Sequence, residues 1–245
     1  MKYLCLIVSV LLLAACGASK ISTPSATPQA INIYYDSSLR PWAGKLGVCA
    51  SKQPDIALYL MENPAPDQTI QVNEAVLQIG YSPTITGTVY ASQVGWEQIA
   101  VIVNNNNPTV RLSTEEIQAI FSGQVLSWAD GSGNPIQVWV FPLGDPIRTI
   151  FISGVMNGIR ITSQAMLAPD PDAMLDAIDS DANAIGLIPE SILSTLDTTT
   201  VEKVHLIQLD PHLQNYLLQP IIALTVGEPQ GMLRDLFICL ENNRR

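Results

Sequence analysis

Gly144, Asp145, Pro146, Ile147 and Arg148 put a flexible turn, an acid and a cation into one short stretch. The chemistry open to that combination is reversible binding of a small charged or polar molecule. Asp145 followed by Pro146 reads as a helix N-cap with proline at the first helical position. Free backbone N–H groups and the positive end of the helix dipole gather at such a start, which ordinarily invites an anion. Here the cap is itself a carboxylate and would repel a second negative group. Two arrangements satisfy these residues. In one, Asp145 caps its own helix and Arg148 pairs with it three residues on. In the other, the two form a mixed acceptor and donor site suited to a zwitterion, a protonated oxyanion or a polar organic solute.

Asp36, Ser37 and Ser38 supply hydroxyls at a second strand-to-helix junction. Elsewhere the chemistry is sparse. The two histidines, His205 and His212, lie near Asp210 without a cysteine partner and read as surface or turn residues rather than ligands. Neither G-x-S-x-G, H-E-x-x-H nor a phosphate loop occurs. The carboxylates of DPDAMLDAIDSD, from Asp170, fall on what reads as a solvated helical face. The expectation is a protein with no catalytic residue, no bound metal and no cofactor.

These residues need elements to position them. Val138 to Phe141 form a β-prone run that Pro142 and Gly144 break just before Asp145. Ile31 to Tyr35 form a strand that feeds Asp36 to Ser38, and the helix after them includes Trp42, Leu46 and Cys49. Pro54 to Met61 read as a strand, and Asn63 to Asp67 as a proline-rich turn. Asn73 to Ser82 mix helix and strand signals. Trp96 to Asn104 form a strand apolar enough at its centre to be buried on both faces. Asn104 to Asn107 before Pro108 read as a solvated turn. Leu112 to Gly123 carry their own punctuation, with Ser113 as N-cap, Glu116 as capping-box partner and Gly123 as the stop. Ile161 to Pro189 read as two helical pieces split by Pro169 and Pro171, then a strand at Ala184 to Ile188. A strand from Pro220 and a helix with a Leu233, Leu236, Phe237 and Leu240 stripe close the chain. This alternation argues an α/β fold with largely parallel sheets, in which ligands sit where strand ends meet helix starts.

The first fifteen residues hold Lys2 and an apolar run from Leu4 to Leu13 that is too short to span a bilayer. They read as a secretory signal peptide. LAAC resembles a bacterial lipobox, which implies lipidation of Cys16 and an extracytoplasmic chain tethered to the membrane. Residues 16–30 are small, polar and proline-bearing, as a tether would be. The composition is globular, 47% hydrophobic and 14% charged. The formal charge of −10 becomes −11 once Lys2 leaves, which disfavours nucleic acid and anionic lipid as partners. An anion ligand would need local donors rather than a positive field.

Cys49 and Cys239 remain after lipidation, and an extracytoplasmic location permits them to pair. The chain-entropy model gives such a long loop on the order of 5 kcal/mol. The alternative is two buried thiols that never meet.

LSTEEIQAIFSGQVLSWAD, the strand and junction after it, and DAMLDAIDSDANAIGLIPESIL together resemble the phosphate-binding components of ABC importers, the PstS-like branch of the type 2 periplasmic binding proteins. The resemblance runs from about Ile31 to the C-terminal helix. It implies two α/β lobes closing over an oxyanion, lobe I from residues 31–103 and 189–245 and lobe II from 104–188. The two chain crossings would fall near Asn104 and near Gly186 to Pro189. Where that family usually has an arginine and then Gly-Ser-Gly-Thr, this chain has Phe141 and then Gly144, Asp145, Pro146 and Ile147. Two hydroxyls are missing and Pro146 has no N–H to give, while Gly144, Arg148 and Phe151 are retained. The ligand residues implied are Ser37, Ser38 and Leu39 on one lobe and Gly144, Asp145 and Arg148 on the other. The function implied is a monomeric solute-binding lipoprotein delivering phosphate or another oxyanion to an ABC permease. The alternative is a sensor or surface-interaction lipoprotein that keeps the fold without anion binding.

Overall fold

The computed structural model describes residues 28–62, 70–80, 89–129 and 133–243. The expected signal peptide, Cys16, most of the tether and the turn at Asn63 to Asp67 lie outside them.

Eleven strands are named in chain order among these residues: β1 Gln29–Tyr35, β2 Ile56–Glu62, β3 Glu74–Ile79, β4 Tyr90–Asn104, β5 Arg111–Leu112, β6 Gln137–Val140, β7 Met166–Leu167, β8 Ala184–Pro189, β9 Val204–Leu206, β10 Gln208–Leu209 and β11 Leu218–Thr225. The helices are α1 Arg40–Ala50, α2 Thr114–Ser122, α3 Pro146–Gly154, α4 Pro171–Ser180, α5 Glu190–Leu193, α6 Thr198–Val201, α7 Pro211–Tyr216 and α8 Gly231–Asn242, with a 3-10 turn at Ser37–Leu39 before α1.

The main sheet runs β2-β1-β3-β11-β4-β8-β6-β7, with β9 also on β4. β4 is the strand both halves share. Tyr90 to Gln98 pair with β11, and Ile99 to Val103 pair with β8. Its second half, Ile99 to Asn104, is buried throughout, as a strand covered on both faces requires. The partner change falls between Gln98 and Ile99, ahead of the expected crossing at Asn104. β8 pairs along its length with β4, and β9 and β10 pair with β4 and β5. Just after Pro189 the chain reaches the first half, where the Ser191 N–H donates to Glu97, before β9 and β10 return it to β4 and β5 and β11 pairs with β3.

The sheet is mixed rather than largely parallel. β1 pairs parallel with β2 and β3, and β6 with β7 and β8, but β11 and β4 run antiparallel to their neighbours. Apolar periodicity reports which face is buried and says nothing of strand direction. Residues 73–82, ambiguous in sequence, hold a strand whose alternate residues Ala75, Leu77 and Ile79 are at most 1% exposed. The first helical piece expected after Ile161 does not form. That stretch holds turns and the short, exposed β7, because Pro169 steers the residue before it away from helical backbone.

α1 and α8 cover one face of the β1–β3–β11 side. Trp42, Leu46, Leu236 and Leu240 are each 2% exposed or less, a burial that contributes roughly 1.5 to 3 kcal/mol per large side chain. Cys49 and Cys239 join the two helices through a disulfide, with Cα atoms 5.9 Å apart. In the other half, Phe121 of α2 and Phe151 of α3 pack with ring centroids 4.6 Å apart and planes tilted by 54°, which fixes α3 beside α2. The capping box of α2 forms as its sequence predicts, with Ser113 and Glu116 exchanging hydrogen bonds.

Candidate functional site

The two junctions singled out in the sequence lie within electrostatic reach of each other, since the Asp36 charge acts on the Asp145 carboxyl. Asp36, at the end of β1, caps the 3-10 turn by accepting the Ser38 N–H at 2.9 Å. Ser37 and Ser38 are 7% and 1% exposed, and the Ser38 Oγ is buried without a hydrogen-bond partner. Leu39 corrects the expectation for this loop. Its side chain lies in the core and its N–H donates to the Asp36 carbonyl, so neither is free for a ligand.

On the other junction, β6 ends before a turn from Pro142 to Asp145, and Gly144 there has a φ of 91° that suits glycine. Asp145 Oδ1 accepts the N–H groups of Ile147 at 2.8 Å and Arg148 at 3.2 Å, making it the N-cap of α3. Arg148 does not form the expected ion pair with Asp145. Its Nη1 donates instead to the Phe141 carbonyl at 2.8 Å, and its Nε is buried without a partner. Arg40–Glu62, Arg40–Asp172 and Lys203–Asp179 are ion pairs among the described residues.

Burial pushes the Asp145 carboxyl up to about 7, with the neighbouring Asp36 carboxylate adding to the rise. The two capping N–H groups and the Arg148 charge pull the other way without cancelling it. Near neutral pH Asp145 therefore exists in both forms, one accepting and one able to donate. Such a group repels an incoming anion only in part.

The halves are also tied around this point by residues the sequence did not reveal. Arg40, the first residue of α1, reaches Glu62 on β2 at 2.7 Å and Asp172 in the first turn of α4. Asp170 caps α4 and Asp179 pairs with Lys203, so this acidic stretch is more than a solvated face. Tyr216 lies against Gly154, where an added Cβ would sit 1.5 Å from the ring, and its hydroxyl is 3.3 Å from Ser153 Oγ.

At the strand shared by the halves, Glu97 is 2% exposed and accepts from the Trp42 indole at 2.7 Å and the Ser191 N–H at 3.0 Å. A charged residue inside an apolar strand was the available signal for it. Glu190 beside it is raised by partial burial and then by the Glu97 charge. Asn104 and Asn107 are each 4% exposed and bond to carbonyls of Ile178, Asp179 and Ala182, so they pin the turn at the end of α4 rather than face solvent. His205 Nε2 meets the Thr109 carbonyl at 2.8 Å, and His212 is exposed. Among the described residues no group of three or more His, Cys, Asp or Glu could hold a metal, and no helix is long and apolar enough to cross a membrane.

The fold is that of known binding proteins. A phosphate ABC transporter substrate-binding protein with bound phosphate from Clostridium perfringens aligns at 19% identity and a TM-score of 0.68, over 86% of this chain and 92% of that one. An ABC-type phosphate transport receptor from Vibrio cholerae aligns at 18% identity and a TM-score of 0.60, over 87% and 93%. The reduced OxyR regulatory domain from Pseudomonas aeruginosa aligns at 10% and 0.62, over 89% and 97%. These neighbours are binding proteins and regulatory domains, and at such identities they share the fold alone. No curated protein matches by sequence. A family model described as the PBP superfamily domain matches residues 64–211. That match covers more than half of the chain, which belongs to the PBP superfamily, the periplasmic-binding-protein-like α/β fold.

Proposed function

We propose that this protein is a solute receptor: a monomeric, lipid-anchored, extracytoplasmic lipoprotein that captures a small ligand and presents it to an ABC permease. The observation that carries the reading is that each of two helix starts, contributed by different halves of a PBP fold, holds a buried donor without a partner, Ser38 Oγ at one and Arg148 Nε at the other. Together they suit an oxyanion group, phosphate being one candidate. Cys16 would carry the lipid, and neither catalysis nor a cofactor enters the reading. The phosphate bound in the Clostridium perfringens neighbour supports the ligand class by likeness of fold.

A second reading is a sensor or surface-interaction module that has lost anion binding. The self-capping of both helix starts by Asp36 and Asp145 favours it. A thermal-shift screen of the purified mature chain separates the two. Phosphate, other oxyanions and small zwitterions are the panel, and a ligand at a hundred times its Kd adds about 2.7 kcal/mol of stability. A shift with any member supports the receptor. Silence across the panel favours the sensor.

A further inference from the structure

Away from both junctions, a cavity of about 170 Å³ opens beside the strand that the two halves share. Buried apolar side chains form its floor, Ile99 of β4 with Ile207 and Leu209, while Glu190, Gln208 and Gln214 stand exposed at its rim. None of Asp36 to Leu39 or Gly144 to Arg148 lines it. What the lining can offer a ligand is one-sided. The N–H groups of Ile99, Ile207 and Gln208 are spent on the carbonyls of Leu217, Val101 and Val110, each at 2.9 Å. Gln98, which also lines the cavity, gives both hydrogens of its amide to the carbonyls of Ile99 at 3.0 Å and Gln214 at 3.3 Å, so an oxygen is what it has left. Among the described residues no Lys, Arg or His lines the cavity, and no cation pairs with the Glu190 carboxylate. The nearby Glu97, whose charge acts on Glu190, is met by the neutral Trp42 indole and the Ser191 N–H. An anion would find acceptors and negative charge here, whereas an ammonium would supply both the donors and the counter-charge that are missing.

We infer that this cavity binds a small primary ammonium, its apolar body resting on Ile99, Ile207 and Leu209 and its N–H groups donating to the Glu190 carboxylate and the Gln98 Oε1. A cavity of about 150 Å³ holds a benzene-sized molecule, so this one suits a body of about six carbons. The formal charge of −10 draws cations toward the chain as a whole. Partial burial, then the Glu97 charge, keeps the Glu190 carboxyl above its ordinary range, which is how an acid behaves when its cation is not part of the protein. The site is separate from that of the solute-receptor reading and stands or falls without it.

Calorimetry on the mature chain tests it with benzylamine against benzyl alcohol and pentylamine against pentanol, and with benzoate as the anionic control. Each amine should bind about fivefold or more tightly than its alcohol, the upper end for an ion pair still open to solvent, and benzoate should give no heat. Glu190→Gln, an exchange at the exposed rim, should bring each pair to near parity. Gln208→Lys, also at the rim, should abolish amine binding by placing the chain's own ammonium in the cavity. Equal affinity within both pairs in the wild type, tighter binding of benzoate than of benzylamine, or silence from all five probes overturns the proposal. So does an amine preference that is unchanged in either variant, which would place the cation somewhere other than beside Glu190.

Discussion

Asp36 and Asp145 each cap a helix start in a different half of the molecule, yet the two carboxylates are close enough that one raises the pKa of the other. That relationship has a consequence for folding. A carboxyl whose pKa is higher in the folded protein than its ordinary 3.8 holds its proton more tightly when folded. Its contribution favours folding at low pH and is lost as pH climbs from about 4 to about 7. Asp145→Asn removes this contribution while keeping the cap. Urea unfolding should therefore show the variant gaining on the wild type by on the order of 2 kcal/mol between pH 5 and pH 8. A difference that does not change with pH would mean that the carboxyl titrates near its ordinary value.

Asp145 also sets the sign of anion binding. Replacing it with serine removes the negative charge and restores a hydroxyl at the start of α3, where Ile147 and Arg148 present their N–H groups. Asp145→Ser should bind inorganic phosphate about tenfold or more tightly than the wild type, the scale of one charge-assisted hydrogen bond. Calorimetry giving no phosphate heat for either form would count against an anion site at this junction.

The bond between Cys49 and Cys239 spans a sequence separation of 190 residues and holds α1 against α8. Opening so long a loop frees much of the unfolded chain, with a ceiling of about 5 kcal/mol in the loop-entropy model. The double variant Cys49→Ala/Cys239→Ala should lose about 3 to 5 kcal/mol in urea unfolding, and reductant should then have no further effect on it. A wild type whose midpoint ignores reductant would contradict this.

What could be read from the sequence was local. The Ser113 and Glu116 box and the Asp145–Pro146 start depend on residues within one helical turn, so residue type and spacing suffice. The pair that spacing predicts between Arg148 and Asp145 does not form because Arg148 Nη1 donates to the Phe141 carbonyl, and a backbone oxygen carries no residue identity to read. Asn104 and Asn107 looked solvated because their partners, around Ile178 to Ala182, lie on a distant segment. The bridge from Arg40 to Asp172 was hidden for the same reason. Leu39 was drawn into the site by its neighbours' chemistry, although its own apolar side chain belongs to the core.

Glu97 gives the sharpest test of the strand that the two halves share. It is 2% exposed, and both of its oxygens accept, one from the Trp42 indole and one from the backbone of Ser191. Glutamine has nearly the same shape but offers one oxygen and one N–H2 group. Whichever way its amide turns, a donor faces a donor, and one buried N–H loses its acceptor. Glu97→Gln should therefore destabilise the chain by about 2 kcal/mol despite removing a buried charge, because an unsatisfied buried donor costs about 1 to 3 kcal/mol. Trp42 fluorescence should move as well, since the indole N–H reports directly on the bond. If the variant were as stable as the wild type with an unchanged Trp42 signal, the carboxylate would not be what joins α1 to the start of α5.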